Sequence, residues 1–160
     1  KLVFLHPTYR LYCAARSSVA IAASRVVGMN VESQSSEWGT IVERLTSKEP
    51  LEKGGWSMFP LGAPAAEYRD PIFSTNMRGN GAAAWFGWPT DPEMETMRTT
   101  WMDSTDPAEQ KRLDAATQLR AFETVPFIPM GQYLPPAAFR KNLTGVLKGA
   151  MPVFWSVSRG

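Results

Sequence analysis

Cysteine and histidine are nearly absent, with one of each, Cys13 and His6, in 160 residues. A single cysteine excludes an internal disulfide and any cysteine-based zinc cluster, and it carries no information about compartment. Charge of one sign is also missing. The 17 basic and 15 acidic residues leave a net charge of +2, without a block of like charge, so there is no electrostatic footprint for nucleic acid or an anionic membrane. No apolar run approaches the roughly 18 residues that a membrane span requires. The sequence opens at Lys1 inside an apolar run, without methionine or signal peptide, which suggests a piece of a longer protein whose targeting information lies elsewhere.

What is present is an ordinary globular composition, 44% hydrophobic and 20% charged, and enough length for one domain with a real core and a projecting tail. Leu2 to Leu5 reads as a buried strand ended by His6-Pro7. A long helix is expected over 8–27, with Leu11, Ala15, Ser18, Ala22 and Val26 at three- and four-residue spacing on one face and Gly28 at its C-cap. Residues 29–34 alternate as a second strand, and Ser35 or Ser36 caps a helix from Glu37 to about Ser47. Lys53-Gly54-Gly55-Trp56-Ser57-Met58-Phe59-Pro60 then reads as a short buried strand, placed in the middle of a sheet whose end opens on a ligand site. Its paired glycines allow a sharp turn or a close backbone approach. The resulting β-α-β-α-β order predicts an α/β fold with a largely parallel sheet, flanked by helices.

Residues 60–90 are broken by glycine and proline and read as a long loop with short helical pieces, of a length that is more often functional than accidental. Asp91-Pro92 starts a helix with a Met94, Met97, Trp101 stripe. Asp106-Pro107 starts another, with Glu109 placed for a capping box and Leu113, Ala116, Leu119 and Phe122 as its apolar face. Prolines 126, 129, 135 and 136 forbid a helix over 125–136, so an extended strand with prolines at its edge or ends is expected, followed by a mixed terminal segment.

Chemistry-bearing groups are sparse. His6 and Cys13 have no third orienting group, as a nucleophile and base would need, and read as structural. Met94 and Met97 have thioether copper spacing, yet a methionine stripe on an amphipathic helix is usually core. Glu93 and Glu95 do not share a helix face and cannot act as paired carboxylates. Gly79-Asn80-Gly81 lacks the strand-to-helix setting of a phosphate loop. Arg78 could face an acidic ligand or be a solvated loop residue. Catalytic residues, metal ligands and cofactors are therefore all expected to be none.

Three stretches carry a family signal. They are Glu37-Trp38-Gly39-Thr40 with Arg44, then residues 53–59, then Val125 through Leu134 followed by Phe139-Arg140-Lys141 and Leu143-Thr144-Gly145-Val146. In order and spacing they resemble the C-terminal part of the solute-binding proteins of dipeptide/oligopeptide ABC importers, family 5, across essentially the whole chain. The resemblance implies one lobe of a periplasmic-binding-protein-like two-lobe fold (class II, cluster C). A ligand-binding lobe is then expected over 1–132, and a hinge-crossing strand and tail returning toward an absent N-terminal lobe over 133–160. It implies a non-enzymatic, periplasmic or membrane-anchored extracellular binding component that captures a peptide, opine or similar small solute and delivers it to ABC permease transmembrane subunits. On this basis Trp56, Ser57, Met58, Phe59, Trp88, Gln132 and Tyr133 are the expected ligand-binding residues, Tyr133 being similar to a hinge tyrosine. Peptide binders of the family commonly place an aspartate just after the tryptophan, whereas Ser57-Met58-Phe59-Pro60 stands here. A buried ammonium without a carboxylate is costly, which counts against a free peptide, while the wider family also carries sugars and metal chelates. The readings from other classes are a hydrolase or transferase with its site in the 60–90 loop, and a structural interaction module using exposed aromatics.

Overall fold

A computed structural model describes residues 1–8, 11–68, 70–134, 136–149 and 153–160, and for 11 and 12 the backbone only. Residues 9 and 10 of the expected first helix, the Leu11 side chain, Pro135 and Pro152 lie outside what is described. The chain divides into two compact units, Lys1–Gly62 and Ala63–Gly160.

In the first unit, β1 (Leu2–Pro7) pairs in parallel with β2 (Val31–Ser36), Leu2 opposite Val31 and Pro7 opposite Ser36. Between them runs α1 (Leu11–Val26), and α2 (Trp38–Leu45) follows β2. Val3, Phe4 and Leu5 are all buried, as expected of a strand covered on both faces. Phe4 packs with Ile21 of α1 and Val31 of β2, joined by half-buried Leu2, Ala20 and Met58. Because side chains alternate along a strand, Val3 and Leu5 point to the other face. Helix α2 also packs against β1, with Ile41 and Leu45 buried. The α/β class and the β-α-β-α order hold.

Three expectations change here. The stretch over 54–59 is neither a full strand nor the middle of the sheet. It makes one parallel bridge, Met58 to Phe4, on the edge of β1 away from β2, so β1 is central. Ser57 and Met58 both donate to the Val3 carbonyl (2.9 and 3.1 Å) and Leu5 donates to Met58 (2.9 Å), after which Pro60 has no N–H to continue a ladder. Secondly, α1 buries Ser17 and Ile21, whereas the expected row Ala15, Ser18, Ala22 and Val26 is exposed, Val26 at 86%. Among the described side chains of α1, Ile21 is the large one that is buried, and Ser17 and Ser24 satisfy their hydroxyls on the carbonyls of Cys13 and Ala20, both at 2.8 Å. Thirdly, α2 begins after Glu37 without a side-chain cap, since Ser36 is still in β2.

The second unit opens with the irregular stretch that the glycines and prolines predict, interrupted by single 3₁₀ turns over Ala65–Tyr68, Thr75–Met77 and Gly81–Ala83. It continues into α3 (Pro92–Asp103) and α4 (Pro107–Thr124), which pack on each other. Both Asp-Pro starts act as read. Asp91 accepts from the Met94 N–H (3.1 Å) and Asp106 from Ala108 (2.9 Å). The return arm of the capping box is absent, because Glu109 is held by Arg112 at 2.7 and 2.8 Å. On α4 the buried residues are Leu113 and Thr117, while Leu119 and Phe122 of the expected face are exposed at 65% and 70%.

Helix α4 ends on Val125 in the left-handed region (φ 49°). Residues 125–134 are irregular and form no ladder, which corrects the expected strand. Its prolines remove donors, and it is held at Phe127, tilted against Tyr68 at 6.4 Å. The tail carries a two-residue antiparallel pair, β3 (Leu143–Thr144) with β4 (Ser158–Arg159), and exposes Phe154 and Trp155.

Candidate functional site

The approach to Trp56 is a tight turn built from backbone. The 3₁₀ turn Leu51–Lys53 ends on Gly54 at φ 92°, a left-handed conformation that glycine adopts without a side-chain penalty. Gly55 then donates to the Pro50 carbonyl (3.0 Å) and passes so close to the preceding strand of chain that a Cβ there would lie 1.9 Å from the Glu49 oxygen. The paired glycines thus do both jobs expected of them, one each. Arg44, in the last turn of α2, closes the turn. Its Nε and Nη2 donate to the Gly54 carbonyl (3.2 and 3.1 Å), and Nη2 also donates to the Gly55 carbonyl (3.2 Å).

Beyond the turn, the Trp56 ring meets Phe59 edge to face, 5.2 Å between centroids at 89°, and both are half-buried. Ser57 is pinned to β1 twice, through its N–H on the Val3 carbonyl and through its Oγ, which accepts from the Val3 N–H (3.1 Å). Its hydroxyl proton is left to donate elsewhere. Met58 turns to the Phe4, Ile21, Val31 cluster and supports the segment from beneath. Of the sequence-predicted residues, these four form one local constellation in the first unit.

The other three lie in the second unit. Trp88 follows Gly87 (φ 99°) with a positive φ of its own, 47°, rare for an aromatic residue, and donates its N–H to the Trp85 carbonyl at 2.9 Å. Gln132 and Tyr133 sit exposed on the irregular 125–134 stretch.

Sequence reading missed a charged cavity in the second unit. It encloses about 180 Å³ and includes Arg78, Gly79, Asp91, Met94, Arg120 and Pro126 in its lining. Asp91, the α3 cap, is gripped by Arg120 of α4 through two bonds of 2.9 and 3.2 Å, and Arg120 also reaches Glu93 (3.1 Å) and Glu123 (3.5 Å). Glu95 receives Arg78 Nε on both oxygens (3.0 and 3.2 Å) and the Gly79 N–H (2.8 Å), with Arg98 at 3.7 Å. The guanidinium hydrogen bonds from Arg120, outweighing burial, hold the Asp91 carboxyl below the ordinary aspartate range. Burial pushes Glu95 up, but Arg78, the Gly79 N–H and the nearby arginine charges together hold it below its usual value. Only the Asp91 cap was readable beforehand. Its arginine partner lies 29 residues away and depends on how α3 and α4 pack.

A pH dependence follows. Asp91 is more acidic folded than unfolded, so its contribution is complete above the ordinary aspartate pKa and fades as pH falls through its lower folded value. Asp91→Asn keeps a cap acceptor but loses the ion pair. It should cost about 1–3 kcal/mol at neutral pH, less than a fully buried pair because Arg120 is partly solvated. Urea melts between pH 7 and 3 should show the variant and parent converging toward acid; a constant gap would remove the pair as its cause.

No group of three or more potential metal-ligating His, Cys, Asp or Glu occurs among the described residues. His6 Nδ1 meets Ser33 Oγ (3.2 Å), while the Cys13 sulfur receives Arg16 Nη2 (3.7 Å), so each is engaged with a different neighbour. No helix is long and apolar enough to cross a membrane among the described residues.

No family model matches the chain. The chain is 31% identical, over 159 residues or 99% of its length, to a probable peptide ABC transporter periplasmic-binding protein of Sinorhizobium fredii. It spans 30% of the length of that relative. The family resemblance carried by residues 37–44, 53–59 and 125–146 is therefore supported by a match that extends along nearly the whole chain.

Proposed function

We propose that this chain, which is similar along nearly its whole length to a probable peptide ABC transporter periplasmic-binding protein, is the C-terminal ligand-binding part of such a protein. The observation that carries the proposal is the identity sustained over 159 residues, with the aromatic Trp56–Phe59 pair standing at the position where the family resemblance expects ligand contact. In this reading residues 1–132 belong to one lobe and 133–160 return across a hinge to an N-terminal lobe. Trp56, Ser57, Met58 and Phe59 of the first unit are the proposed ligand contacts, and Trp88, Gln132 and Tyr133 of the second are proposed contacts as well. A peptide, opine or similar solute touches both lobes, so it favours the closed state, and the permease recognises that state. The place of action is the periplasm, and the solute leaves unaltered.

The ligand's amino group has no carboxylate to meet at residues 57–60, so solutes whose recognition does not depend on a buried free ammonium are favoured at this end. The test is a thermal-shift panel of the intact polypeptide with di- and oligopeptides, opines, sugars and metal chelates. A binder at a hundredfold excess over its Kd adds about 2.7 kcal/mol of stability and should raise the melting temperature by a few degrees. A flat panel would overturn the proposal.

A further inference from the structure

We infer that Arg44 is a positioning residue that sets where the Trp56 ring stands; the inference rests on reading residues 56–59 as a ligand wall. The peptide unit that precedes Trp56 consists of the Gly55 carbonyl and Trp56's own nitrogen. Arg44 Nη2 holds that carbonyl at 3.2 Å and the neighbouring Gly54 carbonyl at 3.1 Å, with Nε on Gly54 as well at 3.2 Å. The residue that follows Trp56 is fixed independently, by the double hydrogen bond of Ser57 to Val3. Trp56 therefore stands between two clamps, one on β1 and one on α2. The β1 clamp belongs to the sheet. The α2 clamp depends on one side chain.

The geometry suits a guanidinium better than an ammonium. Two successive carbonyls face the same guanidinium at a turn where Gly54 is left-handed and the Gly55 N–H donates back to Pro50. A rigid planar fork can donate to both at once, with little entropy lost for each bond, whereas an ammonium is a single point on a flexible stem. Arg44 is itself carried on a stiff base, since α2 is seated on β1 by buried Ile41 and Leu45 on either side of it. A wall residue held before ligand arrives loses less freedom on binding, which favours affinity without adding a contact.

The test uses the intact polypeptide with Arg44→Ala, Arg44→Lys, Trp56→Ala and, as the emission reference, Trp56→Phe. Trp56 emission is isolated as the difference between each chain and the same chain carrying Trp56→Phe, and affinity is measured with trialanine acetylated at its amino terminus, which brings no free ammonium to the site. Arg44→Ala should shift the Trp56 emission to the red in the absence of ligand and weaken acetylated trialanine about tenfold, and Arg44→Lys should recover part of each. A merely structural arginine would lower the melting temperature while leaving the emission and the affinity of the folded protein unchanged, and that result overturns the inference. Should Arg44→Ala fail to fold, Arg44→Lys decides alone: Trp56 emission identical to the parent overturns the inference. Absence of acetylated trialanine binding in the parent counts against the peptide-binding reading, while the ligand-free emission still decides the role of Arg44. A shifted emission together with unchanged affinity in both Arg44→Ala and Trp56→Ala would keep the clamp and remove the wall.

Discussion

Gly55→Ala in the intact polypeptide should give a protein that loses most of its soluble yield or melts far below the parent. The added Cβ would sit 1.9 Å from the Glu49 oxygen and 2.9 Å from both the carbonyl carbon and oxygen of Pro50. All of these are backbone atoms, so no flexible side chain can yield, and relief requires unwinding the turn that Arg44 and the Pro50 carbonyl hold together. Steric insults of this kind belong to the small class of substitutions that cost about 4 kcal/mol or more. Gly54→Ala provides the comparison. Its Cβ meets open space and only the left-handed φ of 92° is penalised, about 1–2 kcal/mol. Urea melts of the two variants should therefore separate widely. Equal melts would show that the turn relaxes freely and does not fix Trp56.

Trp56→Ala should do the reverse, weakening ligand far more than fold. The ring is half-buried and meets Phe59 edge to face, and it lies outside the Phe4, Ile21, Val31 cluster, so truncating it leaves that cluster intact. A cost of about 1–2 kcal/mol to stability is in keeping with a partly buried aromatic. As a ligand-facing anchor, a tryptophan truncated to alanine typically costs 2 kcal/mol or more, roughly a thirtyfold loss of affinity. Measured on a solute that binds in the thermal-shift panel, unchanged affinity would take Trp56 out of the site.

What was legible in the residues was mostly local. β1, the end of the first helix before Gly28, and the two Asp-Pro helix starts depend on runs, caps and turns within a few residues, and each appears within a residue or two of its expected position. Orientation was harder. In α1 most positions are alanine, serine or valine, so the spacing of small residues could not say that Ile21 faces the sheet and Val26 faces away. On α4, Leu119 and Phe122 have the right period for a core face, yet only Leu113 of the expected row is buried, together with Thr117; the tertiary fit turned the C-terminal half of the row outward. The 54–59 stretch had a strand's composition, but its glycines went into the turn and its proline ended the pairing, leaving a single bridge. The same division holds at the site. Trp56 and Phe59 are three residues apart and could be paired on sight, whereas Arg44 on Gly54 and Gly55, Arg78 on Glu95 and Arg120 on Asp91 join residues 10 to 29 positions apart. Nothing in the residue pattern marks such partners before the helices are packed.

Calorimetric titration of the intact polypeptide, with mass-spectrometric recovery of each solute afterwards, bears most directly on the proposal that this chain grips a small molecule and does no chemistry on it. The expected result is a saturable one-to-one heat with at least one peptide, opine or related solute, recovered unchanged in mass. A solute returned cleaved or modified, or no saturable heat with any of them, would contradict it.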